Sequence, residues 1–344
     1  MVVVTGLLIQ QKNHHESAQQ KMQRQIIGNS AQEPYEAGKL GLSQQVSTLG
    51  IRKSGQLIVP VYLSKEKKVD RVPLEEYVLG VLAAEMPTDF ELEALKAQAL
   101  AARTYIVRRY KDQDFGGVPN KEAWVTDTVS HQAYLSLEQM KRQWGPKVYE
   151  AKLAKLTRAV NETAGRILTY RDEPINAVFF SVGNGYTENA EDYWSVEEPY
   201  LKSVSSPWDT LAPGYKQTIT LTKKQFVQKL GLYGKVSGAD AAASMRVGEW
   251  TEGKRIKRVR IGGTWFTGRE VREKLGLRSS YFTWKARGSS LEITTYGNGH
   301  GVGMSQWGAN GMAAQGKTAE EIVAYYYQGI QIESDAPYLR ASKN

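Results

Sequence analysis

"GVLAAEMPTDFELEALKAQALAARTY", Gly80 to Tyr105, puts one acid in an unusual place. Glu85 follows an apolar run ending in Ala83-Ala84 and stands directly before Met86-Pro87. A carboxylate there is costly to bury and idle if merely exposed. Pro73 suits the first turn of a helix, which the pattern carries from Leu74 to Glu85. Pro87 ends it, because proline disfavours helical geometry in the residue before it. Thr88 or Asp89 then caps a second helix running to about Tyr110, with Glu91 at capping-box spacing from Thr88.

Working outward, "IRKSGQLIVPVYLSKEKKVDRVPLEEY" from Ile51 alternates like a strand pair around a Lys-rich turn, which predicts a hairpin. A third helical segment spans Leu137 to Thr163 with a break at Gly145-Pro146. Arg166–Tyr170 and Asn176–Ser181 read as strands, and Gly183-Asn184-Gly185 as a turn. "LTKKQFVQKLGL" (Leu221–Leu232) and "FTGREVREKLGL" (Phe266–Leu277) align without gaps. In each a Thr caps a helix, Gln225 or Glu270 closes the capping box, and Gly231 or Gly276 ends the helix. Chance recurrence of amphipathic helices would read the same way. After a strand at Leu291–Tyr296 comes the Gly-rich "GNGHGVGMSQWGANGMAAQGKTAEEIVAYYYQGIQI" with two helices. The pattern predicts an α+β main domain with a smaller strand–helix lobe inserted at about 216–288.

The chain of 344 residues has 45 Lys and Arg against 36 Asp and Glu, a net charge of +9. That balance favours a polyanionic partner. No long basic block or known nucleic-acid motif appears, so the excess reads as spread and nucleic acid as the weaker choice. With no cysteine, disulfides, thiolate metal sites and a cysteine nucleophile are excluded. Met1 to Ile9 is apolar and then turns abruptly polar. It is either a chance apolar terminus or, as we expect, the remnant of a membrane anchor whose upstream part is missing. Residues 10–48 read as a polar linker.

Several motifs invite chemistry. Gly311–Thr318 satisfies the phosphate-loop pattern, but its preceding residues look helical, and Thr318 with Glu321 is more simply a capping box. No nucleotide is expected. His300, among Gly299, Gly301 and Gly303, suits a ligand-facing loop, with Ser305 and Gln306 as hydrogen-bonding company or as plain structure. No second His or Cys stands at ligand spacing, so no metal is predicted. For Glu85, the negative end of its helix and apolar neighbours both raise the pKa, as a general acid at neutral pH requires. A solvent-facing helix end is the alternative.

"LEEYVLGVLAAEMP", "LKAQALAARTY" and "GHGVGMSQWGANGMA" closely resemble the stage II sporulation protein D family of spore-forming Gram-positive bacteria. Amidase-enhancer proteins of bacterial cell walls share the domain. The resemblance covers roughly Ile51 to the C-terminus, so 49–344 is assigned as the catalytic region. It implies a membrane-anchored lytic transglycosylase, acting outside the cell membrane at the sporulation septum. Its substrate is peptidoglycan glycan stripped of stem peptides, cut during engulfment. Its implied partners are stage II sporulation protein P, an amidase, and stage II sporulation protein M, a membrane protein. The family's catalytic acid falls on Glu85, and other polar residues of its site on Arg103, Tyr200 and Lys202. Ser181 and Asn184 join them as candidates, because they lie where some relatives carry a His/Cys cluster that could hold zinc. With Phe180 and no cysteine there, no zinc and no cofactor are expected.

An ordinary glycosidase needs two carboxylates. A lytic transglycosylase attacks with the sugar's own 6-hydroxyl, so one Glu can serve as acid and then base. A glycan-binding enhancer of an amidase, without cleavage, is the alternative. Arg103 lies 15 residues beyond Thr88, ~22 Å along a straight helix, so a simple helical hairpin would keep it from Glu85. Trp194, Trp208 and Trp307 could stack on sugar rings, or belong to the core.

Overall fold

The structure, a computed structural model, describes residues 57–339. The expected anchor remnant and linker lie outside the described residues, as do residues 51–56 of the hairpin. Strand β1 (Ile58–Leu63) pairs antiparallel with β2 (Lys68–Pro73), and Val125–Thr126 adds in parallel to the other edge of β1. β2 runs without a linker into helix α1 (Leu74–Glu85). Every residue of α1 except Ala84 is buried. A helix buried on all faces must be wrapped by other elements, and α1 is the axis of the main core. Helix α2 (Leu92–Asp112) packs against it, and its buried Ala94, Ala97, Ala101 and Ala102 belong to the same core. The helix Pro146–Thr163, the sheet built on Arg166–Tyr170, and the helices Gln306–Ala314 and Ala319–Tyr326 complete the main domain.

At the corner, Met86 takes an extended backbone (φ −117°, ψ 137°), as the residue before a proline should. The second helix starts later than its sequence suggests. Phe90 N donates to Pro87 O, closing a turn, so the N-cap is Glu91 and the Thr88 capping box does not form. Glu91 N donates instead to Asn310 Oδ1 at 2.7 Å. The third segment divides as expected into Leu137–Trp144 and Pro146–Thr163, with Gly145 at φ 70° between them.

Residues 216–296 form a lobe with its own apolar cluster, including Phe226, Ile256, Val259, Val271, Phe282 and Ile293. Strand Lys216–Thr222 passes directly into helix Lys223–Leu230, and Thr264–Thr267 into Gly268–Leu275. Both helices begin in complete capping boxes and end at glycines in the left-handed region, Gly231 (φ 75°) and Gly276 (φ 69°). The repeat read in the sequence is therefore a repeat of structure.

The strand Ser290–Tyr296 pairs with Lys216–Thr222 along its whole length, from Ser290↔Thr222 to Tyr296↔Lys216. Its inward residues Leu291 and Ile293 belong to the lobe cluster, so the lobe closes after Tyr296 rather than before Leu291. Gly297 N donates to Tyr215 O at 2.7 Å, so the chain enters and leaves the lobe at one point. The buried Arg255 makes a second attachment, donating to Asn184 Oδ1 at 3.0 Å.

The phosphate-loop look-alike Gly311–Thr318 runs from inside one helix to the capping box of the next. No strand feeds it, so the geometry that cradles phosphates is missing there.

Candidate active site

Glu85 is the last residue of α1 and only 8% exposed. Its Oε1 accepts from Ala133 N at 2.8 Å, and the Gln306 side chain hydrogen-bonds to the same carboxyl. Burial pushes Glu85 up to about 7, against smaller opposing effects of these two donors. Among the described residues no other carboxylate contributes to that shift.

Three segments supply these neighbours. The loop around Ala133 is held to α1 by Leu135 N, which donates to Gly80 O at 3.1 Å. Gly80 has no room for a side chain: a Cβ there would fall 2.2 Å from the Tyr134 ring. Gln306 opens the helix Gln306–Ala314, whose N-cap Ser305 accepts from Gly308 N and donates to the buried Asp209. Next to it Trp307 packs edge-on against Phe90 of the Pro87 corner, with ring centroids 4.8 Å apart. Trp307 N donates to Ser181 O at 3.1 Å, which brings Ser181 to this side of the site. The strand expected over Asn176–Ser181 shortens to Phe179–Phe180, parallel to Met304–Ser305.

The other sequence candidates are not gathered around Glu85. Arg103 is fully buried, and its guanidinium donates to Glu75 Oε2 at 2.6 Å and to Arg166 O at 3.2 Å. Glu75 stands at the opposite end of α1 from Glu85, ten residues or ~15 Å along the axis. Tyr200 is also in the core, its hydroxyl accepting from Asn176 N and from Arg108, more than a turn beyond Arg103. Lys202 sits in ion pairs with Glu191 and Glu197 at the surface. Asn184 is turned to the lobe, holding Gly253 O and Arg255.

His300 packs against Phe180, Tyr193 and Trp194 and accepts from Val302 N on Nδ1. Burial first, then Arg272 and Arg255, push it down to about 3, so it is neutral at physiological pH. Trp208 lies against Gly311 and Tyr325 instead of beside Glu85.

A second carboxyl, Glu76, also rises to about 7, through burial first and then Asp70. It lies nine residues before Glu85, ~13 Å along the helix. Of the two partners of Glu85, Ala133 acts through its backbone and carried no signal, whereas Gln306, 221 residues away in sequence, was a candidate as company for His300 and not for Glu85. The Gly-rich text around Gln306 was the only pointer to it.

The family model described as Stage II sporulation protein matches residues 62–170, the span holding α1, α2 and Glu85. Over 304 residues the chain is 50% identical to stage II sporulation protein D of Bacillus subtilis (strain 168), covering 88% of this chain and 87% of that one. This chain belongs to the stage II sporulation protein D family. The Bacillus amyloliquefaciens protein of the same name is 49% identical over 83% of this chain and 82% of its own length. An amidase enhancer of Bacillus subtilis (strain 168) is 29% identical over 74% of this chain, which spans 40% of that longer protein. The family is one of sporulation, and its shared domain extends to a protein named for enhancing an amidase.

The Gln306 contact has a measurable consequence for this stage II sporulation protein D family member. Its hydrogen bond lowers the Glu85 pKa, so Gln306→Ala should move that pKa further up. The alkaline limb of any Glu85-dependent activity would shift to higher pH, read from kcat/KM between pH 5 and 9. An unmoved limb would mean that Gln306 does not act on Glu85.

Proposed function

We propose that the protein is a lytic transglycosylase cleaving peptide-stripped glycan strands of peptidoglycan, with Glu85 as general acid and then general base. The observation that carries this is the buried Glu85 carboxyl near pKa 7, held by Ala133 and Gln306 beside the half-buried Trp307. Near neutral pH, part of the population keeps Glu85 protonated. It can then give its proton to the glycosidic oxygen as the C1–O bond breaks.

The carboxylate so formed next accepts the proton of the sugar's 6-hydroxyl as that oxygen bonds to C1. This closes a 1,6-anhydro ring and restores the acid. No water and no second carboxylate enter, which matches the lone acid at this site and contrasts with the paired carboxylates of ordinary glycosidases. We further propose a setting at the outer face of the cell membrane during engulfment, with the amidase stage II sporulation protein P and the membrane protein stage II sporulation protein M as partners.

The test uses peptide-free glycan strands with the wild type, Glu85→Ala and Glu76→Gln, with products read by mass spectrometry. The expected result is 1,6-anhydro ends from the wild type and Glu76→Gln, and none from Glu85→Ala. Intact strands in all three, with binding retained, would leave the second reading favoured by the amidase-enhancer relative: a glycan-binding protein that stimulates an amidase.

A further inference from the structure

The positive charge of this protein is not spread. Residues 216–296 carry 17 Lys and Arg against six Asp and Glu, a net +11, whereas the whole chain is +9. The remaining residues hold 28 basic against 30 acidic, so the lobe supplies the entire excess.

Within the lobe one sheet face concentrates it. The antiparallel sheet Arg246–Trp250, Ile256–Ile261 and Thr264–Thr267 turns Val247, Val259 and Phe266 inward. Its other face shows Arg246, Arg258, Arg260 and Trp265, all exposed. Arg246 and Arg260 are direct cross-strand partners, an arrangement that repels and that sheets ordinarily avoid. No acid relieves it: among the described residues Arg246, Arg258 and Arg260 form no ion pair, and Glu249 is taken by Lys257. Among the described residues Arg246 donates to Ala243 O and Met245 O just before its strand, and Arg260 to Gly263 O in the turn after its own, all of them backbone carbonyls. Trp265 reaches across to Gly248, where a Cβ would come within 2.5 Å of its ring, and Arg258 stacks over that ring at 4.7 Å. The tryptophan thereby stiffens a guanidinium instead of offering an open stacking surface.

We propose that this face binds a linear phosphodiester polymer of the cell wall, with Arg246, Arg258 and Arg260 as its phosphate contacts. Guanidinium groups grip phosphate oxygens two at a time. Alternate residues on a strand lie ~6.8 Å apart, which offers successive cations to successive phosphates of an extended chain. Single-stranded nucleic acid is disfavoured because Arg258 occupies one face of the half-exposed Trp265, so this ring offers bases less than a free stacking platform. The choice of a wall polymer rests on the glycan-directed reading of Glu85; the anion site itself does not.

The test titrates full-length protein with poly(glycerol phosphate), and separately with anionic phospholipid vesicles and a single-stranded DNA oligomer, from 50 to 300 mM salt. The triple variant Arg246→Gln/Arg258→Gln/Arg260→Gln is compared with Lys65→Gln/Lys67→Gln/Lys68→Gln, which removes equal charge from the β1–β2 turn. Thermal unfolding checks that both variants are folded.

The arginine variant should lose about tenfold or more in polymer affinity and flatten the salt slope by about three, against less than about twofold for the lysine variant. Equal losses in both would overturn the site in favour of a diffuse field, and no polymer binding at all would overturn it outright. Tighter binding to vesicles or DNA would reassign the face to a membrane or to nucleic acid. Cleavage of peptide-free strands carrying no phosphodiester polymer, measured alongside, should stay within about twofold in the arginine variant. A failure of the Glu85 reading therefore shows separately.

Discussion

Glu85→Gln should cut glycan cleavage by about a thousandfold and, above neutral pH, make the protein more stable. The folded-state pKa of Glu85 is raised from an ordinary 4.5 to about 7 by burial. A raised carboxyl means that the folded state holds its proton more tightly than the unfolded chain does. The stabilising effect of that proton is complete below the unfolded pKa and is lost as pH rises from 4.5 through about 7. At pH 8 the ionised, buried carboxylate then costs up to about 3 kcal/mol.

Glutamine keeps the shape, can accept from Ala133 N through its amide oxygen, and has no charge to desolvate. Thermal unfolding at pH 5 and pH 8 should show a larger gain for the variant at pH 8. Cleavage should fall by about a thousandfold, within the range general acid catalysis contributes. The same stability difference at both pH values would mean that Glu85 is not raised. Loss of activity would then need a cause other than a tuned acid.

Arg103→Ala should destabilise the main domain strongly, by about 3–5 kcal/mol. The guanidinium is fully buried and tied to Glu75, which is itself buried. Removing it strands a carboxylate in the core and leaves Arg166 O without that donor. The pair Arg103→Met/Glu75→Gln removes both charges and should recover most of the loss. Where the Arg103→Ala protein is still folded, KM for glycan strands should be unchanged. Normal stability with a raised KM would instead place Arg103 at the substrate.

The parts of this molecule legible in its sequence were those written in local chemistry. The α1 stop at Pro87, the three Thr-led capping boxes at Thr222, Thr267 and Thr318, and the glycine ends of the repeat all depend on residues within a few positions. Glu85 was legible because a carboxylate between an apolar run and a proline contradicts its surroundings. What surrounds it was not, since Ala133 acts through a backbone N–H and Gln306 through a fold-level juxtaposition.

Arg103 shows the reverse failure. The residue is prominent in its motif, but only the packing of α2 against α1 reveals that Glu75 neutralises it. Charge was misread by scale. Counted over the whole chain it seemed diffuse, and counted over the lobe it is concentrated.

Arg255 decides how the lobe lives with the rest of the protein. It is buried where the lobe meets the main domain, bonded to Asn184 and Tyr186 O, with its guanidinium against Gly301 and the buried Glu188 and Asp209 drawing on its charge. If the lobe melted alone, both acids would be left in the interior without their counter-charge, a state costing several kcal/mol. The two apolar clusters are therefore coupled into one cooperative unit. Heat or denaturant should then meet a single transition; an earlier, separate transition of residues 216–296 in thermal unfolding would show that Arg255 does not hold them together.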